Sequence, residues 1–592
     1  MFEVLDVAGF CRVIGHIYAR VAIDGSKTYS EISHRPYVVI RQTLWHRIAS
    51  YDGKYIIKAF SVVHGVLIVR QWFRVACCRF PSPKLLLLCL LTVPACVRSE
   101  TPGVSSSADG RTVETAEERA IVDFCSKCHQ PPDPASFPKD RWVHEVYQGY
   151  RFFSESKIKD EIRPPDKPRT IEYYTKRAPE KLAASEPVPF VDEAEPRFRL
   201  ASELTPEPLV YPMTAHLSWK KWTDDGSERI VIADMHAGTI SYWDPLKKSY
   251  QKLASVPHPS HVEWCDIDQD GITDALVADL GSVEPKDHDQ GNVYLLRQQP
   301  NGTWNSTILA SGLGRVCEVR TADFDGDKRM DIVVAEFGWL KSGGIRIMEQ
   351  RASKDSTLKF QIRRTDERHG AIRVPPMDLD QDGDIDFVAL IAQEFEAVDV
   401  FVNRGDGRFD AQELCPPREP AFGSNGLEPA DLDGDGDIDF VVTNGDMFDN
   451  FMIKPYHQMR WLENQGSLKF AEHHLASLPG ACGAAIGDLD LDGDLDIVTS
   501  SCFPLRVVKE LGAAQVAEIP SVVWFEQTSP GKFSPHALEF GNPLHACQVL
   551  ADVDVDGDLD LVIGLFGPDA EKQQPAFVVY ENLTRSNATP AE

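Results

Sequence analysis

Positive charge, methionine and long apolar runs are all scarce in this chain. Its 592 residues carry 61 Lys and Arg against 90 Asp and Glu, a formal charge of −29. With no basic stripe to neutralise phosphates, nucleic acid is excluded as a partner. Only 9 residues are methionine, and none falls between Met1 and Met213. The apolar run at residues 85–93 is well short of the ~20 residues that cross a bilayer. There is no glycine-rich phosphate loop and no nucleophile–base constellation, which lowers the case for an enzyme without removing it. What remains is ordinary: 43% apolar and 26% charged residues describe a globular protein large enough for several domains.

The acid is concentrated. The pattern Asp-x-Asp-x-Asp-Gly-x-x-Asp occurs six times, and these loops hold 28 aspartates. Their starts are 57, 55, 53, 57 and 64 residues apart, a period that marks an array of supersecondary units. Carboxylates at positions 1, 3, 5 and 9, with a carbonyl at 7, converge on a hard cation, and glycine at 6 makes the sharp turn. The expected ligands are Asp266, Asp268, Asp270 and Asp274 in the first loop, then Asp323, Asp325, Asp327 and Asp331. The third and fourth loops offer Asp378, Asp380, Asp382 and Asp386, and Asp431, Asp433, Asp435 and Asp439. The last two offer Asp488, Asp490, Asp492 and Asp496, and Asp552, Asp554, Asp556 and Asp560. Oxygen-only ligation favours calcium, about six ions, because magnesium demands a stricter octahedron. Lys328 replaces the turn glycine of the second loop, which makes that site the weakest.

Each loop precedes a short β-branched strand, at 275–278, 332–335, 387–390, 440–443, 497–499 and 561–563. Further strands bring each repeat to four, the content of a propeller blade. The layout resembles the FG-GAP or VCBS repeats of integrin-like β-propellers over about residues 197–585. That resemblance implies a mainly β, seven-bladed propeller that binds a partner protein, a small molecule or a glycan. Residues 214–254 read as a blade whose loop, at 223–226, has lost its metal site. The last repeat lacks a fourth strand, and residues 197–204 look like one, so an N-terminal strand is expected to close blade seven. The innermost strands bring His261, Glu263, Glu318, Arg320, Arg373 and Glu428 near the axis, as a ligand surface or a self-satisfied salt-bridge network. Cys482 and Cys502 lie equally far from Asp492, so a hairpin centred there would set them opposite, as a disulfide or as two buried thiols.

Ahead of the repeats, residues 113–124 place apolar side chains at helical spacing and end in Cys125-Ser126-Lys127-Cys128-His129. C-x-x-C-H is the attachment signature of c-type haem: two thiols add to the vinyl groups and the imidazole becomes the proximal iron ligand. A zinc site would want a second Cys/His pair nearby, and only His144 follows before residue 213. A redox dithiol would want a strand–helix context rather than a preceding helix. With helical stretches at 140–154 and 169–182, residues 113–190 resemble a minimal class I cytochrome c, an all-α domain holding one covalent haem. Such domains usually supply a methionine as distal ligand, and residues 130–212 contain none. The distal position is left to His144, to Met213 or to an open site.

Arg79 and Lys84 precede the apolar run, and Pro94, Ala95 and Cys96 follow it, as basic region, core and small-residue cleavage site. Segment 75–96 resembles a bacterial lipoprotein signal, imperfect at Pro94. Cys96 would be acylated and tether the protein to a membrane at the periplasm or cell surface; otherwise an ordinary signal peptidase would cut nearby. Residues 1–74 then read as a non-native extension or as disordered, with translation starting at another codon near Val75. Residues 97–112 read as a linker and 586–592 as a tail. The expected function is an exported c-type haem electron-transfer protein whose calcium-stabilised propeller binds a redox partner or ligand. The alternatives are a propeller oxidoreductase with the haem as acceptor, and a calcium-dependent adhesion or carbohydrate-binding protein. No catalytic residue is identifiable.

Overall fold

The computed structural model describes residues 115–191, 197–206, 211–222, 226–299, 301–353, 357–567 and 574–585. The chain divides into units Met1–Gly103 and Val104–Glu592, and the described residues belong to the second. The signal segment, Cys96, the linker, the tail and loop residues 223–225 lie outside the described residues.

Seven antiparallel sheets follow one another along the chain. Blades one to six span residues 214–255, 259–313, 316–366, 371–413, 426–476 and 481–540, and blade seven begins at 545. Its outermost strand is Phe198–Leu200, which pairs antiparallel with Phe577–Asn582, Phe198 facing Asn582. The ring's two ends therefore share a sheet, and neither is left as an open edge. The second strand of a blade has neighbours on both faces, which explains its apolar run. Asp274–Asp279, Asp386–Ile391, Asp439–Asn444, Asp496–Ser501 and Asp560–Leu565 are buried at every position. Seven clusters of buried side chains each straddle two adjacent blades. At blades two and three, for example, Leu276 and Ala278 meet Ile332 and Val334. Burying an aliphatic side chain contributes roughly 1.5–3 kcal/mol, so the seams between blades hold the ring together.

One expectation about blade six is corrected. The register shifts between Cys482 and Ala484, so Cys482 faces Ser500 while the Cys502 amide donates to the Gly480 carbonyl. A bulge at Gly483, whose φ is 65°, moves the two cysteines out of direct opposition. Both thiols are free, and Cys482 Sγ donates to the Ala546 carbonyl at 3.5 Å. Blade six also carries two short helices that sequence periodicity did not reveal, Leu505–Leu511 and Ala513–Val516.

Three helices precede the ring: α1 Ala116–Cys125, α2 Trp142–Glu155 and α3 Lys167–Arg177. Thr115 caps α1 reciprocally, accepting from the Glu118 amide at 3.2 Å while Glu118 accepts from the Thr115 amide at 3.1 Å. Pro168, in the first turn of α3, starts that helix ahead of the expected residue 169. Ile121, Phe137, Trp142, Val146, Tyr173 and Tyr174 form the helical core together with Ala421 and Met452 of the propeller. The docking contacts run the length of α2. Ser136 donates to Glu419 at 2.7 Å and Arg141 to the Asn450 carbonyl at 2.8 Å. Phe152 meets Trp339 at 6.0 Å, and Glu155 and Lys157 pair with Lys341 and Glu367 at 2.7 and 3.0 Å. The helices thus rest on blades three to five. Among the described residues no helix is long and apolar enough to cross a membrane.

Candidate functional site

Helix α1 ends at Cys125, which leaves Cys128 and His129 on the turn beyond it. Phe124 packs against Phe153 and Tyr150 of α2 at 4.9 and 5.5 Å, and the Tyr174 hydroxyl donates to Cys125 Sγ at 3.5 Å. Both thiols are free. Burial pushes the Cys125 thiol up, with Tyr174 opposing; burial also pushes up Cys128, and the Glu394 charge adds to it. Neutral thiols are poor nucleophiles, which weighs against a redox dithiol. His129 Nδ1 lies 2.7 Å from the Gln130 carbonyl. A proton on Nδ1 donating there leaves Nε2 as the ligand atom, the usual orientation of a metal-bound imidazole. The donor set therefore fits a covalent haem.

Neither expected distal residue is brought to this motif. His144 is exposed on the first turn of α2, whereas Phe124 packs roughly 10 Å further along that helix. Met213 pairs with Phe566 at the seam of blades one and seven, whereas the contacts that dock the helices lie on blades three to five.

The aspartate loops lie on the opposite face of the ring. They join first to second strands, whereas the helices rest on second-to-third and blade-to-blade connections. The first aspartate accepts from the amide at position 6: Gly271 to Asp266 at 2.8 Å, Gly383 to Asp378 at 3.0 Å, Gly436 to Asp431 at 3.0 Å. Lys328 makes the same bond to Asp323 at 2.8 Å, with φ at 70°, so the missing glycine does not undo the turn. The Oδ1 atoms of Asp323, Asp378, Asp431, Asp488 and Asp552 are buried without a donor. Leaving such an oxygen unmatched costs about 1–3 kcal/mol, a penalty that a cation would remove. Carboxylate oxygens of Asp431, Asp433 and Asp435 come within 4.8 Å of one another, as do those of Asp488, Asp490 and Asp492. In the first loop Arg297 lies 2.7 Å from Asp268 and 3.6 Å from Asp274, a guanidinium already answering two of the carboxylates.

The ninth aspartate does more than its spacing implies. Asp439 accepts from the amides of Leu432 at 3.1 Å and Asn464 at 2.7 Å, and Asp496 and Asp560 are clamped in the same way. These carboxylates bolt the loop to the end of the third strand. Asp331 and Asp386 still reach the clusters of their loops. Burial pushes Asp439 up to about 6 and Asp496 and Asp560 up to about 7. An amide at the end of the third strand, unrecognised in the sequence, adds a second fastening. Asn403 donates to Phe324 O of blade three at 2.8 Å and to Ile385 O of its own loop at 2.9 Å. Gln527 bridges Leu432 O and Leu495 O at 2.9 and 3.0 Å, and Asn582 bridges Leu489 O and Leu559 O at 2.7 and 3.1 Å.

The six axial residues do come together. Arg320 pairs with Glu318 at 2.9 Å and Glu263 at 3.4 Å, and Arg373 with Glu318 at 3.4 Å and Glu428 at 4.0 Å. His261 stands 3.6 Å from Glu318 and 4.5 Å, ring to ring, from His216. Burial, with Arg320 and Arg373 adding to it, pushes His216 down to about 3. The charges answer one another, as in a structural network.

Residues 266–334 and 378–442 match the FG-GAP-like repeat family. Together with the seven sheets, this makes the ring a seven-bladed β-propeller carrying FG-GAP repeats. Solved structures similar to this chain include BBS1N in complex with ARL6DN, at 12% identity and TM-score 0.37, covering 65% of this chain and 97% of that one. The Dos1 propeller is similar at 10% identity and TM-score 0.34, covering 63% and 78%. A luciferin-regenerating enzyme is similar at 12% identity and TM-score 0.30, covering 51% and 87%. No curated protein matches.

Proposed function

We propose that this FG-GAP propeller protein is an exported electron-transfer protein. Its helices carry one covalent haem c on Cys125 and Cys128, with His129 as proximal ligand. The observation that carries this reading is the C-x-x-C-H motif at the end of α1, with two protonated, unpaired thiols and an imidazole whose Nδ1 is engaged by a backbone carbonyl. Haem held there would exchange single electrons. Phe124, Tyr150 and Tyr174 would shield the Cys125 side, and exposed Cys128 would lie toward a redox partner. A pyridine haemochrome spectrum of the purified full chain, with mass spectrometry for the attached group, tests the assignment. Absence of covalent haem from protein made in a haem-attaching host would end it.

Calcium at the aspartate loops would stabilise the blades, as the unmatched Oδ1 atoms at five of the loops support. The propeller itself suits ligand or partner binding. An extracytoplasmic location with an acyl anchor on Cys96 would accompany haem attachment of this type.

A further inference from the structure

Arginine keeps its charge throughout the pH range of proteins, so a buried arginine needs a counter-charge that a buried lysine can do without by losing its proton. The propeller respects this with one exception. Among the described residues three arginines are buried, Arg229, Arg315 and Arg460. Arg229 has Asp244 at 3.7 Å, and Arg460 has Glu472 at 2.8 Å. Arg315 is 6% exposed and forms no ion pair among the described residues. Its Nε has no hydrogen-bond partner, its Nη1 makes no bond to a described residue, and its Nη2 reaches only the Val283 carbonyl, at 3.3 Å. The Asp449 charge favours the guanidinium, but from beyond ion-pair range.

The place of this side chain in the fold suits a ligand. Arg315 directly precedes Val316–Ala322, the innermost strand of blade three. Its carbonyl accepts from the Phe337 amide at 2.7 Å, two residues before Trp339, which meets α2. The guanidinium therefore stands at the end of the axial channel that faces the helices, 5.4 Å from the Phe337 ring. The blade-two loop that supplies Val283, residues 280–290, is fastened to blade three, where its Asp287 accepts from the Ser342 amide at 2.9 Å and hydroxyl at 2.6 Å. Arg315 thus lies between a secured loop and an aromatic ring, with donors unused. The two ends of its fork match the two oxygens of a carboxylate. A doubly charged oxyanion is disfavoured, because the Asp449 charge acts on the same group, and so little exposure keeps a protein surface out of reach. We propose that Arg315 anchors a singly charged small-molecule carboxylate at the helix-facing mouth of the channel, with Val283 and Phe337 beside it. The assignment names a ligand class for the propeller and does not depend on the haem.

The test uses the full chain in excess calcium at fixed ionic strength, with sodium acetate and sodium propanoate as probes against sodium chloride. Each carboxylate should raise the melting temperature of the unaltered protein saturably, as a ligand of the folded state does, and isothermal titration calorimetry should show one site. Arg315→Met should abolish both responses, and Arg315→Lys, which keeps a charge but not the fork, should weaken them. In chloride alone Arg315→Met should leave the melting temperature unchanged or raise it, because it removes an unpaired buried charge, whereas Arg460→Met should lower it by breaking a buried pair. A carboxylate response that survives Arg315→Met is a general salt effect and overturns the proposal. An equal response to sodium sulfate overturns it too, as does destabilisation by Arg315→Met as large as that by Arg460→Met, which would reveal a partner within the fold. Absence of saturable acetate or propanoate binding to the unaltered chain overturns it without recourse to any variant.

Discussion

Asn582 is the most consequential of the amide fastenings, because it secures the blade in which the chain's two ends meet. It is fully buried and donates to Leu489 O of blade six at 2.7 Å and Leu559 O of blade seven at 3.1 Å. Its own oxygen accepts from the Thr584 amide at 3.0 Å. Asn582→Ala removes all three bonds and leaves the Leu489 carbonyl only the long 3.5 Å bond from the Thr584 hydroxyl. Each bond contributes about 1 kcal/mol net, and a poorly matched buried group costs about 1–3 kcal/mol more, so the loss should be on the order of 4–6 kcal/mol. Asn464→Ala is the internal comparison, since Asn464 bonds Ile438 O of its own blade at 3.2 Å and the Gly466 amide at 3.1 Å. It should cost about half as much. Urea unfolding in excess calcium, followed by tryptophan fluorescence, measures both from the shift in midpoint at constant slope. If Asn582→Ala loses less than Asn464→Ala, the amide does not tie blade seven to blade six in the way its distances imply.

Two further outcomes follow from buried carboxylates. Burial pushes Glu396 up to about 8, from an ordinary 4.5, so the folded form keeps a proton that the unfolded chain releases. Stability should fall as pH rises from about 4.5 to about 8 and level off above that. At about 1.4 kcal/mol per pH unit the loss is a few kcal/mol, and Glu396→Gln should flatten that part of the melting-temperature profile. Chelation should lower the melting temperature and calcium should restore it, since an ion bound only by the folded state stabilises it. Asp431→Asn should reduce the calcium response more than Asp266→Asn, because Arg297 already engages carboxylates of the first loop; equal responses by differential scanning fluorimetry would contradict that ranking.

The turn chemistry of the aspartate loops was legible because its determinants are local: a carboxylate facing an amide five residues on, and a left-handed turn at position 6. The closing strand was legible because Phe198 repeats the way other fourth strands begin. The amides were not, since Asn403, Asn464, Gln527 and Asn582 fall 25, 33, 39 and 30 residues after their loop's first aspartate. Excursions of different length between second and third strands destroy that period. The clamp on the ninth aspartate was hidden for a related reason: its partners lie at the loop's second residue and at the far end of the third strand. Equal spacing around Asp492 misjudged Cys482 and Cys502 because a single bulge is invisible to symmetry arguments. The meeting of helices and propeller was beyond reach altogether, because nothing local to either stretch of sequence announces it.

That meeting also has an energetic reason. The described helical segment has fewer than 80 residues, and a single core at this size rarely supplies more than about 3–5 kcal/mol. Six of its apolar side chains form one buried cluster, which Ala421 completes, with Met452 packed against it. Ser136, Arg141, Glu155 and Lys157 are all bonded to propeller loops. The helices therefore depend on the ring for part of their wall, and the ring contributes a surface that no isolated three-helix unit has. The aspartate loops stand on the far face, a second strand of six residues away, about 20 Å at 3.3 Å per residue. A cation there would be too distant and too well screened to act on the helices directly. Its effect on them would pass through the blades, by holding three, four and five in the register that presents Trp339, Lys341 and Asn450 to the helices.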